Sequence, residues 1–295
     1  MRQRLTLATL TGPAAAGGWR WRLLLPLLFL LLGGCTPAGY QLSTRYQSAN
    51  QNARIAFLIL HYTDEDDANS LRLLTEPEHK VSAHYLIPRE NRETPQPIYQ
   101  LVPDSERAWH AGRSRWHQYA GLNASSLGIE IVNLGYPVED EQLAPDARRW
   151  QPYTPAQIAA VGALSRKLVA RYQIPATQVL GHSDVAPERK QDPGPHFPWR
   201  QLYLEYGVGA WPDEARVAEL LASPLPEWDA AMWQQQLARY GYGYGYGLPQ
   251  TGQWDEQSRA VMRAFQLHFR ASKVDSEADR ECQAILMALL EKYVS

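Results

Sequence analysis

Four residues stand where they could do hydrolytic chemistry together: His61, His182, Asp192 and Lys190. The last three lie in residues 181–199, GHSDVAPERKQDPGPHFPW, a segment with Pro187, Pro193, Pro195 and Pro198 and no hydrophobic period. Proline fixes φ and removes a backbone donor, so this segment is expected to form neither helix nor central strand, but a stiff loop that presents side chains. Two histidines and one carboxylate with an open fourth position form a ligand set of hydrolytic zinc sites. Lys190 precedes Asp192 by two residues, and in an extended segment i and i+2 share a side, so an ammonium group and a carboxylate can face one cavity. Each residue also has an ordinary reading. His61 at a strand end could be structural, Lys190 and Asp192 a surface pair worth under about 1 kcal/mol, and Asp192 before Pro193 a turn residue.

The elements that must position these groups are partly visible. IAFLILHYT (55–63) is a continuous apolar run, a buried strand that ends in His61. VSAHYLIP (81–88) and PIYQLVPD (97–104) are shorter strand candidates, with a turn between them. LGIEIVNLG (127–135) alternates around Glu130, which taken alone reads as a solvent-facing position. Residues 153–174 predict the clearest helix, with Thr154 as cap, Pro155 in the first turn and Gln157 completing a capping box. Strands mixed with a strong helix indicate an α/β domain with a mixed central sheet flanked by helices.

After Tyr206 the composition shifts. Residues 222–227 read as a linker, and 228–295 carry three helical patterns, a small all-α domain of modest expected stability. Between the first two patterns, GYGYGYG (241–247) places Tyr242, Tyr244 and Tyr246 either on one face against a sugar or in a lengthened turn, the reading preferred here.

The formal charge is −2, and four of the 29 basic residues precede Cys35 in a segment without acids, so the remainder carries 25 bases against 31 acids. A mildly acidic body disfavours nucleic acid as partner. Leu23–Leu32 is about half the roughly 20 residues of a spanning helix and fits a secretory signal. Leu32-Gly33-Gly34-Cys35 resembles the lipobox of bacterial lipoproteins, which would put a lipid on Cys35, and Thr36 after it points to the outer membrane, facing the periplasm. The expected organisation is therefore 1–34 signal peptide, 35–53 tether, 54–222 catalytic domain and 228–295 helical domain. With Cys35 lipidated, Cys282 has no disulfide partner and reads as a buried hydrophobe.

Taken jointly, LHYT with His61, LGIEIVN with Glu130 and GHSDVAPERKQDPGP with His182, Lys190 and Asp192 resemble the zinc-dependent N-acetylmuramoyl-L-alanine amidases of the type-2 amidase family, related to the peptidoglycan recognition proteins. VSAHYLIPR and RAWHAGRSRW match further segments, and the likeness spans about residues 54–205. It implies one Zn2+ per chain held by His61, His182 and Asp192, with Glu130 as general base and Lys190 stabilising an oxyanion. His110, in WHAG, would line the substrate cleft; Asp184 would steady the loop; His79, His117, His196 and His268 would be surface or structural. Residues 234–270 resemble a three-helix peptidoglycan-binding module. The implied partners are peptidoglycan and muropeptides, met by a monomer. The rival readings are a non-catalytic wall-binding lipoprotein and a zinc peptidase, the latter disfavoured because HExxH is absent.

Overall fold

The computed structural model describes residues 40, 42–89, 95, 97–243 and 247–294. Up to Gln51 the described residues are exposed and carry no helix or strand; Asn52–Ser295 make up a separate compact unit. Cys35, Tyr244 and Tyr246 lie outside the described residues.

The apolar run forms β1 (Phe57–Tyr62), in which Phe57, Leu58, Ile59 and Leu60 have no exposure at all. A strand buried on both faces needs neighbours on both edges. It pairs in parallel with β6 (Ser126–Ile131) on one side and with β7 (Val179–Gly181) on the other. β2 (Tyr85–Ile87) runs parallel to β6, and β3 (Tyr99–Gln100) closes the outer edge antiparallel, giving the order β3-β2-β6-β1-β7. The strand expected over 97–104 shortens to two residues, because Leu101 and Val102 both donate to His84 O and Pro103 opens a turn. A separate two-stranded ribbon joins β4 (Arg115–Trp116) to β5 (Tyr119–Ala120).

The helices expected around residue 160 and in the C-terminal quarter form as read. α2 (Pro155–Tyr172) has its capping box: Thr154 Oγ1 accepts from Gln157 N at 3.1 Å, and Gln157 Oε1 accepts from Thr154 N at 3.1 Å. Gln157 Nε2 then donates to Val132 O at 2.8 Å and so ties the helix to the end of β6. The C-terminal helices are α6 (Ala230–Tyr240), α7 (Glu256–Phe269) and α8 (Arg280–Tyr293), each capped by an aspartate. Two short helices gave no sequence signal, α1 (Asp67–Thr75) and α5 (Glu214–Ala222); the latter packs on α8 through Leu220, Ala284 and Ala288.

One expectation is corrected. Residues 181–199 are not loop throughout: His182–Val185 make one helical turn (α3), and α4 (Trp199–Tyr206) starts directly after Pro198. The prolines permit this because Pro187 lies beyond the α3 cap at Ala186 and Pro198 precedes the first turn of α4.

Strand alternation divides the core. Leu58 and Leu60 of β1 and Leu127, Ile129 and Ile131 of β6 face α2 and α4, joining Ile158, Val161 and Leu202. Phe57 and Ile59 face the other way. There they share one apolar cluster with Trp116, Leu180 and Val185, and with Leu237, Tyr240, Phe265 and Leu286 of the helical half. The helical half therefore completes the second layer over the sheet instead of standing as a separate small core.

Candidate metal centre and active site

Parallel strands bring their carboxyl ends to one edge, where sites in open α/β sheets form. The register pairs Phe57 with Ser126, Ile59 with Gly128 and His61 with Glu130, so His61 and Glu130 are neighbours on adjacent strands. β7 ends at Gly181, and His182 opens the helical turn immediately after it. Asp192 returns to the same place because Ser183 N donates to Asp192 O at 2.9 Å, and Tyr153 OH donates to Pro193 O at 2.7 Å.

Three ligand atoms converge there. His61 Nδ1 lies 3.0 Å from His182 Nδ1 and 3.1 Å from Asp192 Oδ2, and the last two are 3.0 Å apart. All three residues are buried. Tetrahedral zinc with bonds of about 2.0–2.1 Å spaces its ligands by about 3.3 Å, close to this triangle.

The protons can be counted around it. Ser126 Oγ donates to Leu122 O at 2.7 Å, so it must accept from His110 Nε2 at 3.1 Å. His110 Nδ1 is then bare and accepts from His61 Nε2 at 2.9 Å, which leaves the lone pair of His61 Nδ1 pointing into the triangle. His182 Nε2 lies 3.2 Å from both Ala111 O, which can only accept, and Arg189 Nη2, which can only donate; with its proton given to Ala111 O, which Arg189 also bonds, the ring keeps Nδ1 bare. Burial, helped by His182, lowers the His61 imidazole to about 4, so it is neutral at physiological pH. Burial pushes the Asp192 carboxyl up, but His182 and His61 together outweigh it and hold it below the usual carboxylate range. Two imidazole lone pairs and a carboxylate oxygen facing one another within about 3 Å is an arrangement that a cation completes. The residues fit a zinc ion. Among the described residues the other such group, Glu76, Glu78 and His79, lies on the surface.

One segment aligns both histidines. The His110 side chain backs His61, and the Ala111 carbonyl backs His182. Asn123 Oδ1 accepts from both backbone N–H groups, at 3.1 and 2.7 Å, and fixes the segment. Arg189 Nη2 adds a bond of 2.5 Å to the same Ala111 carbonyl. Gly128 leaves the space for the His110 ring: a Cβ there would come within 2.5 Å of His110 Cγ. Burial and the neighbouring histidines hold His110 well below its ordinary pKa, consistent with a neutral ring. Sequence reading put His110 in the cleft. It does border the cavity, yet both ring nitrogens are committed to the hydrogen-bond chain behind His61. His84, also buried, accepts from Gly128 N and faces Glu106 O, which is a structural role.

Beside the triangle opens a cavity of about 350 Å³ lined by Glu130, Lys190, Trp109 and Tyr136 among others. The Glu130 Oε2 atom is shielded from solvent and without a hydrogen-bond partner. Burial, with the Asp192 charge, pushes its carboxyl well above the ordinary value, and Lys190 opposes this. A carboxyl held for use, a cation across the cavity and a metal triangle between strand ends suit metal-assisted hydrolysis. Ser126, Asn123, Ala111, Gly128 and Arg189 were not singled out from the sequence. The small residues of SLGIE were the available signal, since they mark where a ring must fit against a strand.

The class is confirmed by comparison. Residues 51–195 match the N-acetylmuramoyl-L-alanine amidase family and residues 229–286 a peptidoglycan binding domain. The chain is 44% identical over 275 residues to the Escherichia coli N-acetylmuramoyl-L-alanine amidase AmiD, covering 90% of this chain and 95% of that one. The solved complex of E. coli AmiD with anhydro-N-acetylmuramic acid-L-Ala-D-γ-Glu-L-Lys superposes with a TM-score of 0.74, over 86% of this chain and 96% of the other. AmpDh3 from Pseudomonas aeruginosa, solved with an anhydromuramic pentapeptide, is 37% identical with a TM-score of 0.76, over 88% and 100%. This chain belongs to the N-acetylmuramoyl-L-alanine amidase family.

Proposed function

We propose that the protein hydrolyses the amide bond between N-acetylmuramic acid and the L-alanine of the peptidoglycan stem peptide. The observation that carries this is the buried, unpaired Glu130 Oε2 beside the buried His61–His182–Asp192 triangle, in the lining of an open cavity. One Zn2+ held by those three residues would supply Lewis-acid charge that acidifies water and polarises a carbonyl. Glu130 takes the proton of the attacking water and passes it to the departing alanine nitrogen. Lys190 stabilises the negative charge that develops on the carbonyl oxygen. His110, Ser126 and Ala111 keep the two imidazoles in the tautomer that points Nδ1 inward. The non-catalytic wall-binding reading leaves the unpaired Glu130 Oε2 without a role.

Muropeptides ending in anhydro-muramic acid, the form held by both solved relatives, are the first substrates to offer, followed by those with ordinary muramic acid. Mass spectrometry should show free stem peptide with zinc-loaded protein and none after chelation or with Glu130→Ala. A folded, zinc-loaded protein that cleaves no muropeptide would overturn the assignment.

The location belongs to the same proposal: a lipid on Cys35 anchoring a periplasm-facing monomer in the outer membrane, where peptidoglycan is within reach. Its support is the short apolar run before Leu32-Gly33-Gly34-Cys35, and, for the monomer, the covering of both sheet faces within one chain. No described helix is long and apolar enough to cross a membrane. Lipid mass on the Cys35 peptide, and release of Cys35→Ala into the soluble periplasmic fraction, are the expected results; light scattering tests the monomer.

A further inference from the structure

The helical half grips the same loop that carries His182, Lys190 and Asp192. The centre of the grip is Asp184, two residues after His182 and only 1% exposed. A buried carboxylate needs donors for its lone pairs, and Asp184 has three. Gly181 N donates to Oδ2 at 2.8 Å from the end of β7, inside the catalytic half. The other two come from the helical half: Tyr242 OH donates to Oδ1 at 2.8 Å and His268 Nδ1 to Oδ2 at 2.7 Å.

Both donors are themselves held. Burial and the Asp184 charge keep the Tyr242 hydroxyl well above its ordinary pKa, so it remains a donor. Its ring packs edge-on against Trp116, with centroids 5.0 Å apart. The His268 ring stacks between Trp199, at 3.8 Å, and Phe269, at 4.0 Å; its Nε2 is buried and without a partner, so Asp184 supplies its hydrogen bond. Further along the loop, Arg263 Nη2 donates to Pro187 O at 3.3 Å and Gln257 Nε2 to Glu188 Oε1 at 3.0 Å. The helical half thus touches the loop at 184, 187 and 188, between the ligand His182 and Lys190. Tyr242, the first tyrosine of the Gly-Tyr run, faces this node and not solvent, so it offers no ring to a sugar.

We propose that the helical half is a working part of the metal centre: through Tyr242 and His268 on Asp184 it positions the ligand loop, independently of any contact it makes with glycan. This rests on reading His182 and Asp192 as metal ligands. Tyr242 and His268 are positioning residues that act through Asp184 and the α3 turn.

The test uses the full chain with Tyr242→Phe, His268→Phe, His268→Asn (which keeps a donor near the Nδ1 position) and Ile285→Val as a control in the helical core. Zinc affinity is read by competition with a chromophoric chelator, and hydrogen exchange at Ser183 and Ala186 is followed in metal-free protein. The expectation for His268→Phe is zinc affinity lower by about 10–100-fold, faster exchange at both amides, and partial rescue of both by His268→Asn. Tyr242→Phe, which deletes one oxygen, should move both readouts in the same direction by less, and it keeps the test alive if His268→Phe fails to fold. Ile285→Val should lower Tm and leave zinc affinity alone. Unchanged zinc affinity and exchange in both Tyr242→Phe and His268→Phe, alongside a lower Tm, would overturn the proposal. If the unaltered protein binds no zinc, the metal reading fails, and the exchange measurements still decide whether the helical half positions the loop.

Discussion

β6 has two faces that share a backbone and almost nothing else. Leu127, Ile129 and Ile131 point toward α2 and join one apolar cluster, all without exposure. Ser126, Gly128 and Glu130 point the other way, and each is tied to the metal centre: a hydroxyl behind His110, a space for the His110 ring, and the carboxyl of the cavity. The difference lies in what each face tolerates. An apolar face is set by volume and pattern, so related side chains can replace one another at small cost. The site face is set by individual atoms, where one oxygen or one methyl group decides whether an imidazole points its lone pair at the ion.

The largest break in this comparison is expected at Glu130. Glu130→Gln should lower kcat by about 10²–10⁴-fold, measured on muropeptides, while zinc affinity stays within a few-fold. It should also raise stability. The folded state lifts the Glu130 carboxyl above its unfolded value, so its protonated form suits the fold, and stability is lost as pH rises through the raised value. Gln does not ionise, so in metal-free protein its advantage in Tm should be absent in acid and appear as pH climbs. Activity of the unaltered enzyme should rise with pH along the same titration. A bound divalent cation pulls the carboxyl back down and shifts that limb toward acid. Equal Tm for both proteins at every pH would show that the carboxyl is not strained by burial.

Next come the two small residues. In Gly128→Ala the new methyl would overlap the His110 ring, so the ring must move away from His61. Zinc affinity should fall by about 10–100-fold, and Tm with it. Ser126→Ala removes the acceptor of the His110 Nε2 proton and leaves that N–H buried and unpaired, at a cost of about 1–3 kcal/mol. Its zinc affinity should drop by about tenfold, at the low end of such effects. Equal zinc affinity in Ser126→Ala and the unaltered protein would mean that the chain from Leu122 to His61 does not set the tautomer.

The faces also differ in how far the sequence disclosed them. The apolar run ending at His61, the alternation around Glu130 and the capping box at Thr154 are local patterns, and local patterns report which elements form and which way side chains point. The triangle was legible because residue type alone restricts which groups bind zinc, and the proline-stiffened segment singled out His182 and Asp192. The supports of the triangle were not legible. Ser126, Asn123 and Ala111 act through a hydroxyl, an amide oxygen and a backbone carbonyl, chemistry that many residues share, and their meaning depends on register between strands far apart in sequence. The Asp184 node depends on contacts between residues 58 and 84 positions apart, for which no local pattern exists. Likewise, the single helical turn at His182–Val185 was hidden by prolines that lie just beyond it.

The smallest expected effect is also the control that the comparison needs. Ile129 sits between Gly128 and Glu130 but points into the cluster with Leu58, Ile158 and Val161. Ile129→Val removes one buried methylene and should cost about 0.5–1.5 kcal/mol of stability, read as a lower Tm. Because the deleted group faces α2, the cavity formed has no route to the His110 ring except through the backbone of β6. That backbone is held on both edges by β1 and β2. Zinc affinity and kcat should therefore match the unaltered protein at any temperature well below the transition. A loss of zinc affinity in Ile129→Val comparable to that of Ser126→Ala would mean that strain crosses the strand, and that the two faces are one mechanical unit.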